Sequence, residues 1–511
     1  MALRLTRRAL LIVATLATAC GGGGDSSSET ASSGPGPGDP SETGASAATS
    51  APTSTSGSTS GSTDGSTDGE ASDGSDATSP GESSAGTSGD ETGAPVVCGD
   101  DCHHVRAGAA GSGSDWDDAL PALPEALERG HVYFIAAGMY PGHVFADAEA
   151  GGAQIRVLRA SAGDHGSEVG WDPSYADGEA TFGELKFTTG AYELAGRDAS
   201  RAVGGFQSTV VEIGAAAVTF RGFDVDGAFS ERGGKHVGGA CTGMSIAGDD
   251  VIVAGNRIHD AADDGVAIGN LRNLSFSGNV VHALHGCGTD GECGPCYNGH
   301  SDGLELYAVV DSEIVGNLIY DVASTSAVFF GNWADELGMG PAEYCDNVLL
   351  ANNLLYSPET GFVAYIEDAR NVKLLHNTIW GLHMGAYGGL SIGVNVQDLD
   401  IYNNAILSIN YKHIGGVYDP AEHRGDYNLF AYSLGQWQDG AHDLVDPDPV
   451  FAAISGGEGP PVADPKPADF TPQPGSPLLD AGFPGDANIV LPATDFFGTP
   501  RDGTPNLGAI E

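Results

Sequence analysis

One short phrase recurs seven times between residues 251 and 430: an apolar run ending in asparagine, then two or three more apolar residues. It surrounds Asn256, Asn279, Asn317, Asn353, Asn377, Asn404 and Asn428, as in Val251–His259, Leu274–His282 and Leu349–Tyr356. The intervals between these asparagines are 23, 38, 36, 24, 27 and 24 residues. Self-similarity at a period of this size marks a solenoid, in which each rung buries its apolar face only by stacking on its neighbours. Helical solenoids need paired runs of roughly ten or more residues at a 3.6 spacing. Here each run is about five residues, alternating and bounded by Gly, Asn or Asp, so the rung is built of strands. A leucine-rich repeat would require a fixed Leu frame, whereas the flanking positions take Val, Ile, Phe or Leu.

On these residues the chain resembles the right-handed parallel β-helix proteins of the pectate-lyase-like superfamily, in which each coil carries an asparagine in the sharp turn between two strands. The resemblance implies an all-β fold, a right-handed parallel β-helix of roughly ten or more coils. The asparagine is expected in the turn itself, because it tolerates the left-handed backbone conformation and hydrogen-bonds locally. Stacked coils then let each side-chain amide bond to the next.

Residues 1–20 carry Arg4, Arg7 and Arg8, an apolar stretch from Ala9 to Thr18, and Ala19-Cys20. This reads as a secretory signal, too short to span a bilayer. Its ending resembles a bacterial lipoprotein signal with Cys20 as the lipid-bearing residue; ordinary cleavage after Ala19 is the alternative. Residues 21–95 hold no aromatic residue and no Lys or Arg, and 12 of the chain's 69 acids. Such a segment cannot bury enough apolar surface to offset the entropy of ordering, and reads as a disordered acidic tether. The expected location is the outer membrane or cell surface, held by lipid alone, or the extracellular medium.

The globular part, 96–445, opens with a glycine loop and a short amphipathic helix around Trp116–Leu127, expected to plug the end of the solenoid. Ile155–Leu158, Glu184–Phe187 and Val210–Ile213 read as early rungs. Residues 446–511 resemble the closing segment of secreted bacterial β-helix proteins, with Asp446-Pro-Asp-Pro-Val-Phe451, Gly475-Ser-Pro-Leu-Leu-Asp-Ala-Gly482, Asp495-Phe-Phe-Gly498, Arg501 and Gly508-Ala-Ile-Glu511. Outside the signal and the tether 57 acids face 18 Lys and Arg. That field argues against nucleic acid and anionic lipid as partners and suits divalent cations or a cation-bridged ligand. A monomer is expected.

With Cys20 taken by lipid, Cys98, Cys102, Cys241, Cys287, Cys293, Cys296 and Cys345 remain, an odd number in an oxidising compartment. Cys287, Cys293 and Cys296 interrupt the repeat beside His282, His285 and His300. A disulfide-stapled loop and a zinc site both fit this cluster.

A second frame aligns Thr242–Ile246, Asp264–Ile268, Asp302–Leu306 and Ser326–Phe330 on successive coils. Alternation turns Met244, Val266, Leu304 and Val328 inward, and Ser245, Ala267, Glu305 and Phe329 outward. Asp264 and Asp302 become neighbours, with Asp263 and Glu305 close by, provided the loop 285–299 projects as an insertion. Four clustered carboxylates raise one another's pKa or recruit a cation, and oxygen-only ligands suit calcium. Turn capping is the alternative, since Asp before Gly is a common turn pair. The resemblance implies calcium-dependent β-elimination of an acidic polysaccharide, with Asp263, Asp264, Asp302 and Glu305 on the ion. His300 and Asp302 are then the catalytic pair, His282 and His285 further base candidates, and Lys373 a weaker one. Asp263-Asp264-Gly-Val-Ala-Ile268 also resembles a polygalacturonase motif, which implies paired-carboxylate hydrolysis, but that family's N-T-D, G-H-G and R-x-K motifs are missing. Non-catalytic carbohydrate binding is the third reading. It draws on the outward column His259, His282, Tyr320, Tyr356, Trp380 and Leu407, in which Tyr320, Tyr356 and Trp380 could stack on sugar rings or simply brace the sheet.

Overall fold

A computed structural model describes residues 99, 101–196, 205–228, 230–232, 235–237, 241–285, 301–323, 325–331, 344–356, 362–381, 388–408, 414–416, 423–431, 440–445, 448–454, 462, 464–501 and 503–511. Cys20, the tether, the cysteines at 287, 293 and 296, and His300 lie outside this set.

The described chain coils as a parallel β-helix with three faces. A coil runs, for example, from Val266–Ile268 on the first face to Ser275–Ser277 on the second and Val280–His282 on the third. Each strand pairs in parallel with its counterparts one coil before and after. Strands such as Asp302–Val315 run around the corner between the first two faces, which merges them into one 23-stranded sheet; the third face is a separate 12-stranded sheet. The inward residues of all three faces form one core, as in Val266, Phe276 and Val281.

The predicted asparagines occupy the corner between the second and third faces, and all seven join in one buried ladder. Each side-chain Nδ2 donates to Oδ1 of the next asparagine at 3.0–3.1 Å, from Asn256 through Asn279, Asn317, Asn353, Asn377 and Asn404 to Asn428. Each backbone N–H donates to the same oxygen, and each Nδ2 also reaches a carbonyl across the corner, as Asn353 does to Ile314 O at 2.9 Å. The ladder ends on Asp443 Oδ1. One expectation is corrected here. The left-handed residue is the one before the ladder asparagine: Gly255, Gly278, Gly316, Asn352, His376, Asn403 and Tyr427, with φ between 54° and 67°. The asparagine is selected for its amide, which satisfies corner backbone groups that would otherwise be buried unpaired.

The expected N-terminal helix is absent from 113–127. Pro121 and Pro124 remove two amide donors, and Leu120 instead bridges Val105 in parallel. Leu120, Ala122 and Leu123 still pack on the end of the core, so the plug exists without the helix. The early rungs at Ile155–Arg159, Leu185–Phe187 and Val211–Ile213 form as expected. At the far end the closing segment lies along the third face: Phe451, Phe470, Leu478, Leu507 and Ile510 cluster with Tyr356, Trp380, Leu407 and Leu429. Cys241 is disulfide-bonded, and Cys345 is a buried thiol whose pKa burial pushes up to about 12.

Candidate functional site

The third face carries two outward columns that flank its inward one, because side chains alternate along each three-residue strand. One reads Asp226, His259, His282, Tyr320, Tyr356, Trp380, Leu407 and Ala431, the other Asp224, Arg257, Val280, Leu318, Leu354, Thr378, Ala405 and Leu429. Register between coils brings together the ionisable groups of the fourth, fifth and sixth strands of this face, Phe223–Asp226, Arg257–His259 and Val280–His282.

His259 is at the centre. Its Nε2 lies 2.8 Å from Asp224 Oδ1 and its Nδ1 bonds the Asp260 carboxylate. Asp260 also meets His285 Nε2 at 3.1 Å, and Arg257 reaches Asp224 at 3.6 Å. Burial works against the charged ring of His259, but the two carboxylates overcome it and raise its pKa. One coil on, His282 stacks parallel to it with centroids 5.1 Å apart, and Tyr320 stacks on His282 at 4.8 Å. Burial and the charged His259 beside it lower His282 to about 4. The two stacked imidazoles are thus pushed apart in pKa, His259 toward the charged form and His282, at about 4, toward a neutral acceptor. Asp226, His259 and Asp260 also offer three ligand atoms within 4.8 Å of one another.

The connection from His259 to the first face contains Asp263 and Asp264, and the second frame holds as read: Val266 pairs with Leu304, Leu304 with Val328, and Ala267 with Glu305. The chain is back in register at Asp302 after the interruption. Asp302 N donates to Asp264 Oδ1 at 2.9 Å, and Thr325 Oγ1 lies 2.8 Å from Asp302 Oδ1. All four acids are buried, Asp302 at 1% exposure. One oxygen each of Asp264 and Asp302 therefore caps the corner. The all-oxygen donor set fits calcium in its chemistry. Among the described residues, however, no three ligand atoms from Asp263, Asp264, Asp302 and Glu305 lie within 4.8 Å of one another. Lys373 is on the second face, away from this corner.

Tyr320, Tyr356 and Trp380 stand in the predicted column but are covered. Tyr356 is 1% and Trp380 2% exposed. Tyr320 OH donates to Asp464 Oδ1 at 2.9 Å, and Tyr356 OH accepts from Val462 N at 2.6 Å. Their outer surfaces are taken by the closing segment, which corrects their assignment to sugar stacking: they brace the protein. The sequence reading passed over Asp224, Asp226 and Asp260. Phe223-Asp-Val-Asp226 is an eighth copy of the repeat with Phe in the asparagine slot, and Phe223 N accordingly donates to Asn256 Oδ1 at 3.0 Å. A repeat frame that did not insist on asparagine would have found it.

No protein-family profile matches the chain, and no curated protein matches it. Among solved structures it is similar to pectate lyase Pel9A, at 13% identity over 80% of this chain and 96% of that one, TM-score 0.42. The complex of XylC with xylose matches at 10% identity over 80% and 98%, TM-score 0.42. The mannuronan C-5 epimerase AlgE4 A-module of Azotobacter vinelandii matches at 12% over 62% and 89%, TM-score 0.31. The fold is a parallel β-helix. What the outer wall does must be argued from its own side chains.

Proposed function

We propose that this chain is an exported protein that binds an acidic polysaccharide along the fourth to sixth strands of the third face and acts on it by β-elimination. The observation that supports this reading is the pair of stacked imidazoles whose pKa values are shifted in opposite directions, His259 and His282, on the coils that also carry the carboxylate corner Asp264–Asp302. β-Elimination next to a uronate carboxylate needs a neutral base for the C5 proton and positive charge to stabilise the carbanion as it forms. His282 has the protonation of the base, and Arg257 supplies local positive charge in a strongly acidic protein, to which His259 adds in the protonated form that its raised pKa favours. In this proposal His300 and Asp302 complete the catalytic set, and Asp263, Asp264, Asp302 and Glu305 hold calcium, which would neutralise the sugar carboxylate.

The purified protein, incubated with uronate polymers, should release an unsaturated product measured by its ultraviolet absorbance. Chelator should suppress that release. Asp302→Asn should remove calcium binding in calorimetry together with activity, whereas His300→Ala or His282→Gln should remove turnover and keep calcium binding. Absence of product from every uronate polymer, with no calcium heat in the wild type, would reduce the corner acids to turn caps and leave a non-catalytic surface protein.

A further inference from the structure

The N-terminal end of the coil carries a second ionisable cluster that the polysaccharide reading does not use. His104 lies on the first strand, Cys102–Val105; His165 ends a one-turn helix, Ala162–His165, that follows the fifth strand, Ile155–Arg159; Glu168 comes just after. His104 and His165 are buried. Trp116, Phe134 and Trp171 pack edgewise or tilted around the His165 ring.

The three side chains aim at one point. His104 Nε2 is 3.0 Å and His165 Nδ1 2.9 Å from Glu168 Oε2, and all three ligand atoms lie within 4.8 Å of one another. Two ligands each about 2.0 Å from a tetrahedral ion stand roughly 3.3 Å apart. An opening of a few tenths of an ångström would therefore admit one. The hydrogen-bond pattern is compatible with this. His104 Nδ1 lies 3.2 Å from Gly113 O, and a carbonyl can only accept, so Nδ1 carries a proton, and in the neutral ring Nε2 presents its lone pair to the carboxylate. Two lone pairs facing each other in a buried site need a second proton or a cation between them. A ligating histidine usually donates its other N–H to a carbonyl or carboxylate, as His104 does to Gly113. Trp116 Nε1 donates to Glu168 Oε2 at 2.8 Å and fixes the carboxylate's orientation.

We propose that His104 Nε2, His165 Nδ1 and the Glu168 carboxylate bind a divalent first-row transition ion, with zinc the best chemical match, as a staple between the first strand and the segment that follows the fifth. Two imidazoles and a carboxylate around a compact, aromatic-walled point suit zinc and disfavour calcium and magnesium, which take oxygen ligands. The ion would close the end of the solenoid where the expected helix is missing.

The test uses the full chain, stripped with chelator and titrated with cobalt(II) and zinc(II). Cobalt should give visible d–d absorption without the thiolate charge-transfer band that cysteine ligands produce. Either ion should raise the melting temperature by mass action. Glu168→Gln keeps the side chain's size and should weaken cobalt binding by at least about tenfold. His103→Gln removes the neighbouring exposed group His103, Glu128 and His131 and should leave the spectrum unchanged. No absorption in the wild type, a thiolate band, equal spectra in wild type and Glu168→Gln, or loss of the spectrum in His103→Gln would each overturn the proposal. The wild-type titration can do so alone, so a variant that fails to fold does not protect it.

Discussion

The early and late coils of the third face share one backbone and differ in what covers them. At the corner before the ladder, coils near the charged cluster place Gly222, Gly255, Gly278 and Gly316 in the left-handed position; the later coils place Asn352, His376, Asn403 and Tyr427 there. Glycine takes that conformation without the Cβ clash that other residues meet. The later coils accept the strain because those side chains hold the closing segment. Asn352 Nδ2 donates to Thr494 O at 2.7 Å and its Oδ1 accepts from Arg501, while Asn403 exchanges two hydrogen bonds with Phe483. The outward columns change in step, from Asp226, His259 and His282 to Tyr356, Trp380 and Leu407. A charged wall and a wall under the closing segment are thus written in the same two repeat positions, and the charged groups sit where nothing apolar is required.

The largest test of that contrast is Trp380→Ala. A ring buried between the sheet and the closing segment should cost about 3–5 kcal/mol, read by denaturant unfolding. Arg257→Ala, on the charged wall with its side chain 42% exposed, should cost much less; equal losses would erase the distinction between the two walls. Asn353→Val comes next, with an expected loss of about 2–3 kcal/mol, because two buried N–H donors of Asn317 lose their acceptor. Asn279→Val should lose about as much, since the ladder runs through both regions, and a neutral result at either site would mean the amides do not bear on stability. A smaller effect is expected at the corner. Gly278→Ala should lose about 1 kcal/mol from φ alone, with no protein atom nearer to the new Cβ than 3.9 Å. Asn352→Gly should instead relieve strain and loosen the closing segment, seen as faster proteolysis near residue 445; unchanged digestion would remove Asn352 from its docking.

The finest test is pH. His282 is lowered from 6.5 to about 4, so between these values the unfolded chain binds more protons than the folded one. Its contribution is present above 6.5 and lost as pH falls toward 4. His259 is raised, so its contribution is present at low pH and lost as pH rises through its folded value. Histidine NMR titration should show the two rings shifted in opposite directions, and His282→Gln should flatten the acid limb of stability. Parallel shifts would dissolve the donor and acceptor pair.

The repeat made the solenoid legible, because a ladder amide must recur once per coil wherever the coil turns that corner. It also gave the inward columns and the stacking of Asp264 on Asp302, since alternation and register are properties of the strand alone. What the sequence could not assign was the partner of each outward side chain. Asn in a turn satisfies both the left-handed and the ladder roles on paper, and only the folded corner shows that the preceding residue takes the first. Tyr356 and Trp380 look like a sugar platform until a segment about a hundred residues downstream folds over them. Asp224, Asp226 and Asp260 look like turn acids until neighbouring coils bring His259, His282 and His285 against them. Sequence determines which residues point outward because that depends on local geometry; tertiary structure decides which of them remain free, because it depends on contacts between residues far apart in the chain.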